Sequence, residues 1–250
     1  MVKIILCGCN GRMGKVIADA ASARDDCSVV AGIDITRADN TAFPVFSSLQ
    51  ECTETADVIV DFSHPSTLPS LLQYAEEKQC PAVIATTGFS ADDMAAIHTC
   101  AKKVPLFFSG NYSLGINLLM ELAKKAAAVL GQDFDVEILE KHHNQKLDAP
   151  SGTALMLAKA VEEGLNYEPE YTFERHSVRQ KRGKHEIGIS AMRGGTIVGE
   201  HEVMFAGRDE IITLSHSARS RDIFAVGALN AALFLAKQPA GLYSMADLVK

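Results

Sequence analysis

Residues 1–110 alternate short apolar runs with segments of helical composition, and this alternation restricts the fold more than any other feature of the chain. The candidate strands are Lys3–Cys7, Ser28–Ile33, Val58–Asp61, Ala82–Thr86 and Pro105–Phe108. The candidate helices between them are Arg12–Ala23, Pro69–Lys78 and Ala91–Lys102. Continuously apolar strands that alternate with helices are typical of βαβ units, in which helices cover both faces of a parallel sheet. We therefore predict an α/β fold with a doubly wound parallel sheet here.

The pattern changes after Ser113, where a long amphipathic segment is followed by runs in which apolar and polar residues alternate. Ile116–Leu130 predicts a helix, and Phe134–Lys141 predicts a strand with one apolar face. Similar alternation recurs within residues 187–191, 203–205 and 212–214. These runs indicate an α+β domain with a mostly antiparallel sheet.

The C-terminal segment returns to the character of the first part. Asp222–Lys237 is rich in small and apolar residues, as in helices that pack on a parallel sheet. We therefore predict that residues 1–113 and 221–250 form one domain and that residues 114–220 form a second.

Charge, apolar content and cysteine spacing exclude several classes of protein. With 24 Lys+Arg against 31 Asp+Glu, the formal net charge is -7, which argues against nucleic-acid binding. The longest nearly apolar stretch, Ile223–Ala236, is shorter than the roughly 20 residues that a membrane span needs. The six cysteines form no C-x-x-C pair, so we expect free thiols in a cytoplasmic protein without membrane or nucleic-acid partners.

A glycine-rich segment, Gly8-Cys9-Asn10-Gly11-Arg12-Met13-Gly14, follows the first candidate strand and opens the first candidate helix. Glycines permit a tight turn and close approach of a pyrophosphate, which the amides of a helix N-terminus bind. Asp34 ends the second strand about twenty residues farther on, where a carboxylate accepts hydrogen bonds from an adenosine ribose. This combination predicts a Rossmann-type dinucleotide domain; the glycines alone would also fit a structural turn. Arg12 is either a phosphate-binding cation or a surface arginine.

Polar residues also follow three later candidate strands. They are Asp61-Phe62-Ser63-His64, Thr86-Thr87-Gly88 and Ser109-Gly110-Asn111-Tyr112-Ser113. Because ligands of open parallel sheets bind beyond the carboxyl ends of the strands, these segments point to the same cleft. Ordinary turn chemistry is the alternative explanation for them.

The segment from Glu140 to Ala154 carries the densest group of reactive side chains in the chain. His142 and His143, with Lys146 three residues later, place two titratable groups and a cation in one loop. Ser151-Gly152-Thr153 stands at the start of a candidate helix, where unpaired amides and the helix dipole suit a carboxylate. A helix cap and a solvated loop are the alternatives. Since no further ligands lie at zinc-site spacing, we expect no metal.

A basic stretch lies between Tyr171 and Arg193. Its cations are Arg175, Arg179, Lys181, Arg182, Lys184 and Arg193. Such a run is usually a solvated loop, and the alternative is a cationic rim that attracts an anionic ligand.

Five motifs, in order along nearly the whole chain, resemble the signatures of the 4-hydroxy-tetrahydrodipicolinate reductases, also called dihydrodipicolinate reductases. They are Gly8-x-x-Gly11-Arg12-Met13-Gly14, Thr86-Thr87-Gly88, Asn111-Tyr112-Ser113-Leu114-Gly115, Glu140-x-His142-His143-x-x-Lys146-x-Asp148-Ala149-Pro150-Ser151-Gly152-Thr153-Ala154 and Arg193-x-Gly195-x-x-Val198-Gly199-Glu200-His201. The fourth motif is highly specific, whereas the glycine motif alone is not.

The resemblance implies a role for each matching residue. His142 would be the acid/base and Lys146 a proton donor. The substrate carboxylates would be held by His143, Lys146, Gly152 and Thr153. The implied cofactor positions are Gly8, Cys9, Asn10, Gly11, Arg12, Met13, Asp34, Ala85, Thr86, Thr87, Ser109, Gly110, Asn111 and Tyr112. The second domain would bind a small dicarboxylate and build a homotetramer through its sheet.

The implied cofactor is NADH or NADPH, and the residues after the second strand bear on the choice. Ile35 follows Asp34, where many members of the family have a basic residue beside the 2′-phosphate of NADPH. Arg12 and Arg37 are the evident cations nearby. Because a carboxylate that reaches the ribose diol repels a phosphate, we expect a preference for NADH with NADPH also accepted.

The resemblance implies reduction of 4-hydroxy-tetrahydrodipicolinate to tetrahydrodipicolinate, a step of diaminopimelate and lysine biosynthesis. One alternative is another NAD(P)-dependent small-acid dehydrogenase, of the imine or aspartate dehydrogenase type, which has no reason to carry the His142-His143 loop. Another is a non-catalytic dinucleotide-sensing regulator. It would need a recognition helix or a wide basic face, and the sequence offers neither.

Overall fold

The computed structural model describes residues 1–36 and 42–249. Along the chain the strands are β1 (Val2–Cys7), β2 (Cys27–Ile33), β3 (Val45–Phe46), β4 (Val58–Asp61), β5 (Ala82–Ile84), β6 (Pro105–Phe108), β7 (Asp135–His142), β8 (Glu170–Thr172), β9 (Glu186–Arg193), β10 (Gly199–Ala206), β11 (Ile211–Ala218) and β12 (Gly241–Tyr243). The α-helices are α1 (Arg12–Ser22), α2 (Leu68–Lys78), α3 (Ala91–Cys100), α4 (Leu114–Leu130), α5 (Gly152–Gly164) and α6 (Asp222–Leu235). The chain divides into two compact units, Met1–Leu114 with Asp222–Lys250, and Gly115–Arg221.

The first unit is built on a 7-stranded sheet in the order β12-β6-β5-β4-β1-β2-β3, with parallel ladders throughout its described strands. Successive residues of a strand point to opposite faces, so Ile4 and Ile5 of β1 enter different apolar clusters. Ile4 lies with Ile17 of α1 and Leu229 of α6, whereas Ile5 lies with Leu71 of α2. Helices therefore cover both faces, which confirms the predicted doubly wound parallel sheet.

Three short strands are absent from the sequence prediction: β3, β8 and β12. Each spans two or three residues, which is too short for hydrophobic alternation to be recognised. Strand β12 pairs in parallel with β6, with Leu242 opposite Leu106. The C-terminal segment therefore completes the first sheet as well as supplying α6.

The second unit contains a 5-stranded sheet in the order β11-β10-β7-β9-β8. Strand β10 is antiparallel to β7 and β11, whereas β9 is parallel to β7 and β8. Helix α5 lies between β7 and β8 in sequence and provides the crossover that a parallel return requires. Helices α4 and α5 share one apolar cluster with this sheet. The predicted combination of a Rossmann-type sheet with an α+β unit is confirmed.

Polar side chains continue the buried face of the second sheet at one end. In β7, Val136 and Ile138 are followed on the same buried face by Glu140 and His142. In β10, His201 occupies the corresponding face and stands opposite Glu140 in the ladder. The strand period thus brings two histidines and a carboxylate to the end of an otherwise apolar layer.

The basic stretch before β9 folds onto acidic residues of the second sheet. Arg175 forms ion pairs with Glu137 at 2.7 Å and with Glu186 at 2.6 Å. Arg182 pairs with Glu137 at 3.1 Å and with Asp135 at 3.0 Å. These two cations are therefore neutralised within the unit, which reduces their value as a rim for an anion.

The cysteines are unpaired thiols, of which Cys52 is half-buried and the others are buried. Burial raises the pKa of Cys80 to about 12, so its thiolate is scarce near neutral pH. Across residues 1–36 and 42–249, no helix combines the length and the hydrophobicity that a membrane crossing demands.

His201 is a buried titratable group whose ionisation bears on stability. Its side chain is 5% exposed, and its Nε2 lies 3.0 Å from the Ser151 hydroxyl. Burial, and next to it the charge of His142, lowers the pKa of His201 from 6.5 to about 4. The unfolded chain binds this proton at higher pH than the folded one, so stability is lost as the pH falls from 6.5 towards 4.

We therefore predict that acid destabilises the chain partly through His201. At pH 4.5 this group should remove about 2 to 3 kcal/mol of the free energy of unfolding measured at pH 7. In His201→Gln the amide can keep the bond to Ser151 without titrating, so the loss should shrink by that amount. Urea unfolding at both pH values measures it, and equal pH dependence in the two proteins would contradict the prediction.

Candidate functional site

The loop after β1 has the geometry of a pyrophosphate cradle. Gly8 has a φ of 75°, and a Cβ there would lie 2.4 Å from the backbone oxygen of Phe62. A Cβ on Gly14 would lie 2.1 Å from the Gly8 oxygen, so both positions demand glycine. Gly11 is the N-cap of α1 and supplies no side chain to its amides. The open N-terminus of α1 therefore suits a phosphate group.

Asp34 closes the adjacent side of this loop. Its carboxylate oxygens accept hydrogen bonds from the backbone amides of Asn10 and Thr36, both at 3.0 Å. A cavity of about 600 Å³ extends from Gly8 and Asp34 to His64 and the start of α2. A carboxylate with remaining lone pairs at the edge of such a cavity fits an adenosine ribose. The residues present thus fit a dinucleotide; Arg37 lies outside the described residues.

Asp61 links the ends of β4 and β5. It is 2% exposed and accepts hydrogen bonds from the hydroxyls of Ser63 and Thr86, the latter at 2.7 Å. Burial raises the pKa of this carboxyl, although the two hydroxyl bonds oppose the shift. The sequence indicated a polar strand end here but not that one carboxylate would organise both loops.

A smaller cavity of about 290 Å³ lies beside these loops. Its lining includes six of the expected cofactor residues: Gly11, Arg12, Met13, Ala85, Thr86 and Thr87. Thr86 is buried and bonded to Asp61, while Thr87 and Arg12 are exposed. The first unit therefore brings the glycine loop and the end of β5 around one concave surface.

At four of the expected cofactor positions, the side chain is hydrogen-bonded or packed inside the first unit. The Cys9 side chain is 3% exposed and belongs to an apolar cluster, so only its backbone can reach a ligand. Ser109 donates to the Asn111 carbonyl at 3.1 Å, and Asn111 accepts from the Ser113 amide at 2.8 Å. Tyr112 is buried and donates to the Ile84 carbonyl at 2.8 Å. Gly110, between them, is exposed.

In the second unit, Glu140 is the centre of a hydrogen-bond cluster. Its carboxylate is fully buried and contacts His142 Nδ1 at 2.6 Å. Arg193 donates to both carboxylate oxygens, at 2.8 and 2.7 Å, and the Ser151 amide donates at 2.9 Å. Burial by itself would raise the pKa of Glu140, but the bonds from Arg193, His142 and Ser151 outweigh it and the pKa is lowered. His142 therefore lies against an ionised carboxylate.

The loop after β7 holds the other expected substrate residues. His143 is half-buried, and its carbonyl accepts the Lys146 amide at 3.2 Å. The Lys146 ammonium lies 2.9 Å from Asp148 and lowers the pKa of that carboxyl. Lys146 is thus a half-buried cation of this loop, paired with an exposed carboxylate.

The N-terminus of α5 presents backbone amides that suit an anion. Ser151 is the N-cap, and its hydroxyl accepts the Ala154 amide at 3.1 Å. Gly152 is exposed, and a Cβ there would meet no atom within 4 Å. Thr153, the next residue of the helix, is half-buried. Because Ser151 also bonds Glu140, this helix end is fixed beside His142.

The sequence alone assigned no role to Glu140 or His201, and it offered Arg193 a role only as part of a cationic rim. All three lie in the motifs that carry the resemblance. The ladder pairs His142 with Arg193, and the rings of His142 and His201 lie 5.1 Å apart, edge to face. These contacts join residues more than fifty positions apart, so only the register of the sheet reveals them. Within the described residues, no three His, Cys, Asp or Glu side chains are grouped so as to hold a metal ion.

Comparison with known proteins identifies the family of both units. The model described as "Dihydrodipicolinate reductase, N-terminus" matches residues 2–112, and "Dihydrodipicolinate reductase, C-terminus" matches residues 115–249. Two similar proteins are called 4-hydroxy-tetrahydrodipicolinate reductase. That of Caldanaerobacter subterraneus subsp. tengcongensis is 51% identical, covering 100% of this chain and 99% of its own. The protein of Clostridium novyi is 46% identical, and the alignment covers 100% of this chain and 99% of that protein.

A solved structure agrees with these matches. It is the dipicolinate-bound dihydrodipicolinate reductase of Paenisporosarcina sp. TG-14, with a TM-score of 0.82 and 25% identity. The alignment covers 98% of this chain and 97% of that one. The family expected from the motifs is confirmed: the chain belongs to the 4-hydroxy-tetrahydrodipicolinate reductase, or dihydrodipicolinate reductase, family.

Proposed function

We propose that the chain reduces 4-hydroxy-tetrahydrodipicolinate to tetrahydrodipicolinate with NADH or NADPH, as a step of diaminopimelate and lysine biosynthesis. The family supports this reaction, because relatives that carry its name align over the full length of the chain. The observation that carries the proposal in this molecule is His142, bonded at 2.6 Å to a buried carboxylate beside the N-terminus of α5. A reductase of a dicarboxylate needs such a proton carrier next to an anion site.

The first unit would hold the cofactor. Gly8, Gly11 and the amides of α1 suit its pyrophosphate, and Asp34 suits its adenosine ribose. Thr86 and Thr87, at the end of β5, would contact the nicotinamide half. When bound, reduced nicotinamide supplies the hydride for the reaction. The residues at the end of β5 would orient the nicotinamide. The hydrogen bond from Thr86 to Asp61 keeps that strand end fixed.

The second unit would hold the substrate, a small dicarboxylate. The dipicolinate named in the Paenisporosarcina structure is a dicarboxylate of this class. His143, Lys146, Gly152 and Thr153 would bind its two carboxylates, through cations and through the amides of α5. In the overall reaction the ring hydroxyl and a hydrogen of the neighbouring ring carbon would leave together as water, which places a carbon–carbon double bond in conjugation with the imine. A hydride would then add to the far carbon of that double bond. His142 or Lys146 then supplies the proton that neutralises the charge placed on the ring nitrogen.

We also propose a homotetramer built through the outer face of the second sheet. That face carries the exposed Met192 and Ile211, with half-buried Leu139 and Met204 between them. Apolar residues on a sheet face that no helix covers favour burial against another copy. The unpaired cysteines suit the reducing cytoplasm that we propose as the location.

The direct test of the function is loss of reduced-nicotinamide absorbance with freshly prepared 4-hydroxy-tetrahydrodipicolinate. We expect turnover with both cofactors and a higher kcat/KM for NADH. Imine- or aspartate-dehydrogenase substrates should give no comparable turnover, because the His142 loop has no role in their reactions. Binding of NADH without turnover of any of these substrates would instead favour the regulator.

His142→Gln tests the acid/base role. Removing the titrating ring should lower kcat by about 10²- to 10⁴-fold while the affinity for NADH stays normal, because the cofactor residues lie in the other unit. His176→Gln, in an exposed loop of the same unit, is the matched control and should retain full activity. Near-normal turnover of His142→Gln would rule out the acid/base role of His142.

Asp34→Asn tests the cofactor preference. The amide oxygen can still accept one backbone amide, but the charge that repels a 2′-phosphate is gone. The ratio of kcat/KM for NADPH to that for NADH should rise about tenfold, equivalent to about 1.4 kcal/mol. Asp19→Asn removes the same charge from the exposed side of α1 and should leave the ratio unchanged. An unchanged ratio in Asp34→Asn would show that this carboxylate does not select the cofactor.

A further inference from the structure

We infer that Glu140 is a positioning residue for His142: it binds the Nδ1–H group and thereby presents Nε2 as the nitrogen that exchanges protons with the substrate. This inference rests on the proposed function and deepens it. It assigns a task to a carboxylate that has no contact with cofactor or substrate in the proposal above. Arg193 and Ser151 act with it, because they hold the carboxylate in place.

The first support is the direct contact between the two side chains. Glu140 and His142 are two residues apart on β7, so both point to the same face of the sheet. Glu140 Oε2 lies 2.6 Å from Nδ1, a short contact of the kind that an ionised acceptor favours. Since a carboxylate accepts hydrogen bonds, the proton of a neutral imidazole is drawn to Nδ1 and the lone pair is left on Nε2.

The second support is that the carboxylate is saturated. Oε2 receives His142 and one Arg193 nitrogen, whereas Oε1 receives the other Arg193 nitrogen and the Ser151 amide. A carboxylate offers about four lone-pair sites, and all four are used. Glu140 has no freedom to rotate away from His142, so the ring orientation is fixed as well as its tautomer.

The third support is the balance of charge around the ring. Arg193 compensates the buried carboxylate, so Glu140 remains ionised without needing a proton from His142. The neighbouring ring of His201, 5.1 Å away, is neutral near pH 7 because burial lowers its pKa to about 4. His142 therefore lies beside a neutral ring and an anion, with no second cation from His201.

The fourth support is the space at Nε2. Gly199 of β10 borders this nitrogen, and a Cβ there would come within 3.0 Å of it. A side chain would crowd the atom that the inference makes reactive. Arg193 also donates to the Asp148 carbonyl at 2.6 Å, which ties the same cluster to the loop of Lys146.

The competing explanation is that Glu140 only joins β7, β9 and α5 mechanically. The two explanations differ for Glu140→Gln. The glutamine oxygen is drawn to the Oε1 position, where Arg193 and Ser151 both donate, so its NH₂ group faces His142 Nδ1. A donor there forces the proton of the imidazole onto Nε2. A purely mechanical role would lower stability without moving that proton.

The experiment combines kinetics with ¹⁵N NMR of histidine-labelled protein, with the His142 signals assigned from His142→Gln. In the parent protein, neutral His142 should carry its proton on Nδ1. In Glu140→Gln the proton should move to Nε2, and kcat should fall about 10²- to 10³-fold while KM changes by less than about threefold. NADH affinity should be unchanged.

Glu186→Gln is the matched control. Glu186 lies at the start of β9, is 8% exposed, and is held by Arg175 at 2.6 Å and by the Gly183 amide at 2.7 Å, with no histidine bonded to it. The control changes a carboxylate of the same sheet that is also paired with an arginine and a backbone amide. It should retain kcat and the parent His142 spectrum.

Either of two results overturns the inference: a parent His142 with its proton on Nε2, or a folded Glu140→Gln with unchanged kcat. If Glu140→Gln does not fold, the parent spectrum alone decides, because it needs no variant. The proposed function fails separately, through absence of turnover in the parent protein, and the spectrum still reports the tautomer in that case.

Discussion

The buried carboxylate of Glu140 is the interaction on which the geometry of the second unit depends. It joins the end of β7 to β9 through Arg193 and to the N-terminus of α5 through the Ser151 amide. Removing one partner of a buried ion pair typically costs about 3–5 kcal/mol, because the other charge remains unpaired. His142 and the N-terminus of α5 are therefore held by a single charged group. Their relative position follows from this contact rather than from the loop between them.

In the first unit, the loops are held in place with less buried charge. The glycine loop is shaped by steric exclusion, since no side chain fits at Gly8 or Gly14. Asp61 then binds Ser63 and Thr86, so the ends of β4 and β5 are fixed relative to each other. In both units a buried carboxylate fixes loops on which proposed binding residues lie. Of these residues, Thr87 is exposed and Lys146 is half-buried beside Asp148.

The sequence predicts much of the architecture, because the βα alternation and the glycine motif act over short distances. The long helices and the strands with four or more residues follow from hydrophobic period or from continuous apolar runs. Strands β3, β8 and β12 do not, because their pairing depends on neighbours distant in sequence. For the same reason the sequence does not predict the Glu140–Arg193 pair, which forms only once β7 and β9 are in register. Cys9 shows a further limit: its position in the glycine loop was evident, but not that its side chain enters the core.

In the proposed reaction a hydride passes from the nicotinamide to a ring carbon of the dicarboxylate. Deuterium labelling tests this hydride transfer most directly. The protein is incubated with 4-hydroxy-tetrahydrodipicolinate and NADH that carries deuterium in both positions at nicotinamide C4, and the mass of the product is measured by mass spectrometry. The account predicts tetrahydrodipicolinate that is about one mass unit heavier, with the label on a ring carbon. Product without deuterium, or absence of product while the protein binds NADH, would contradict it.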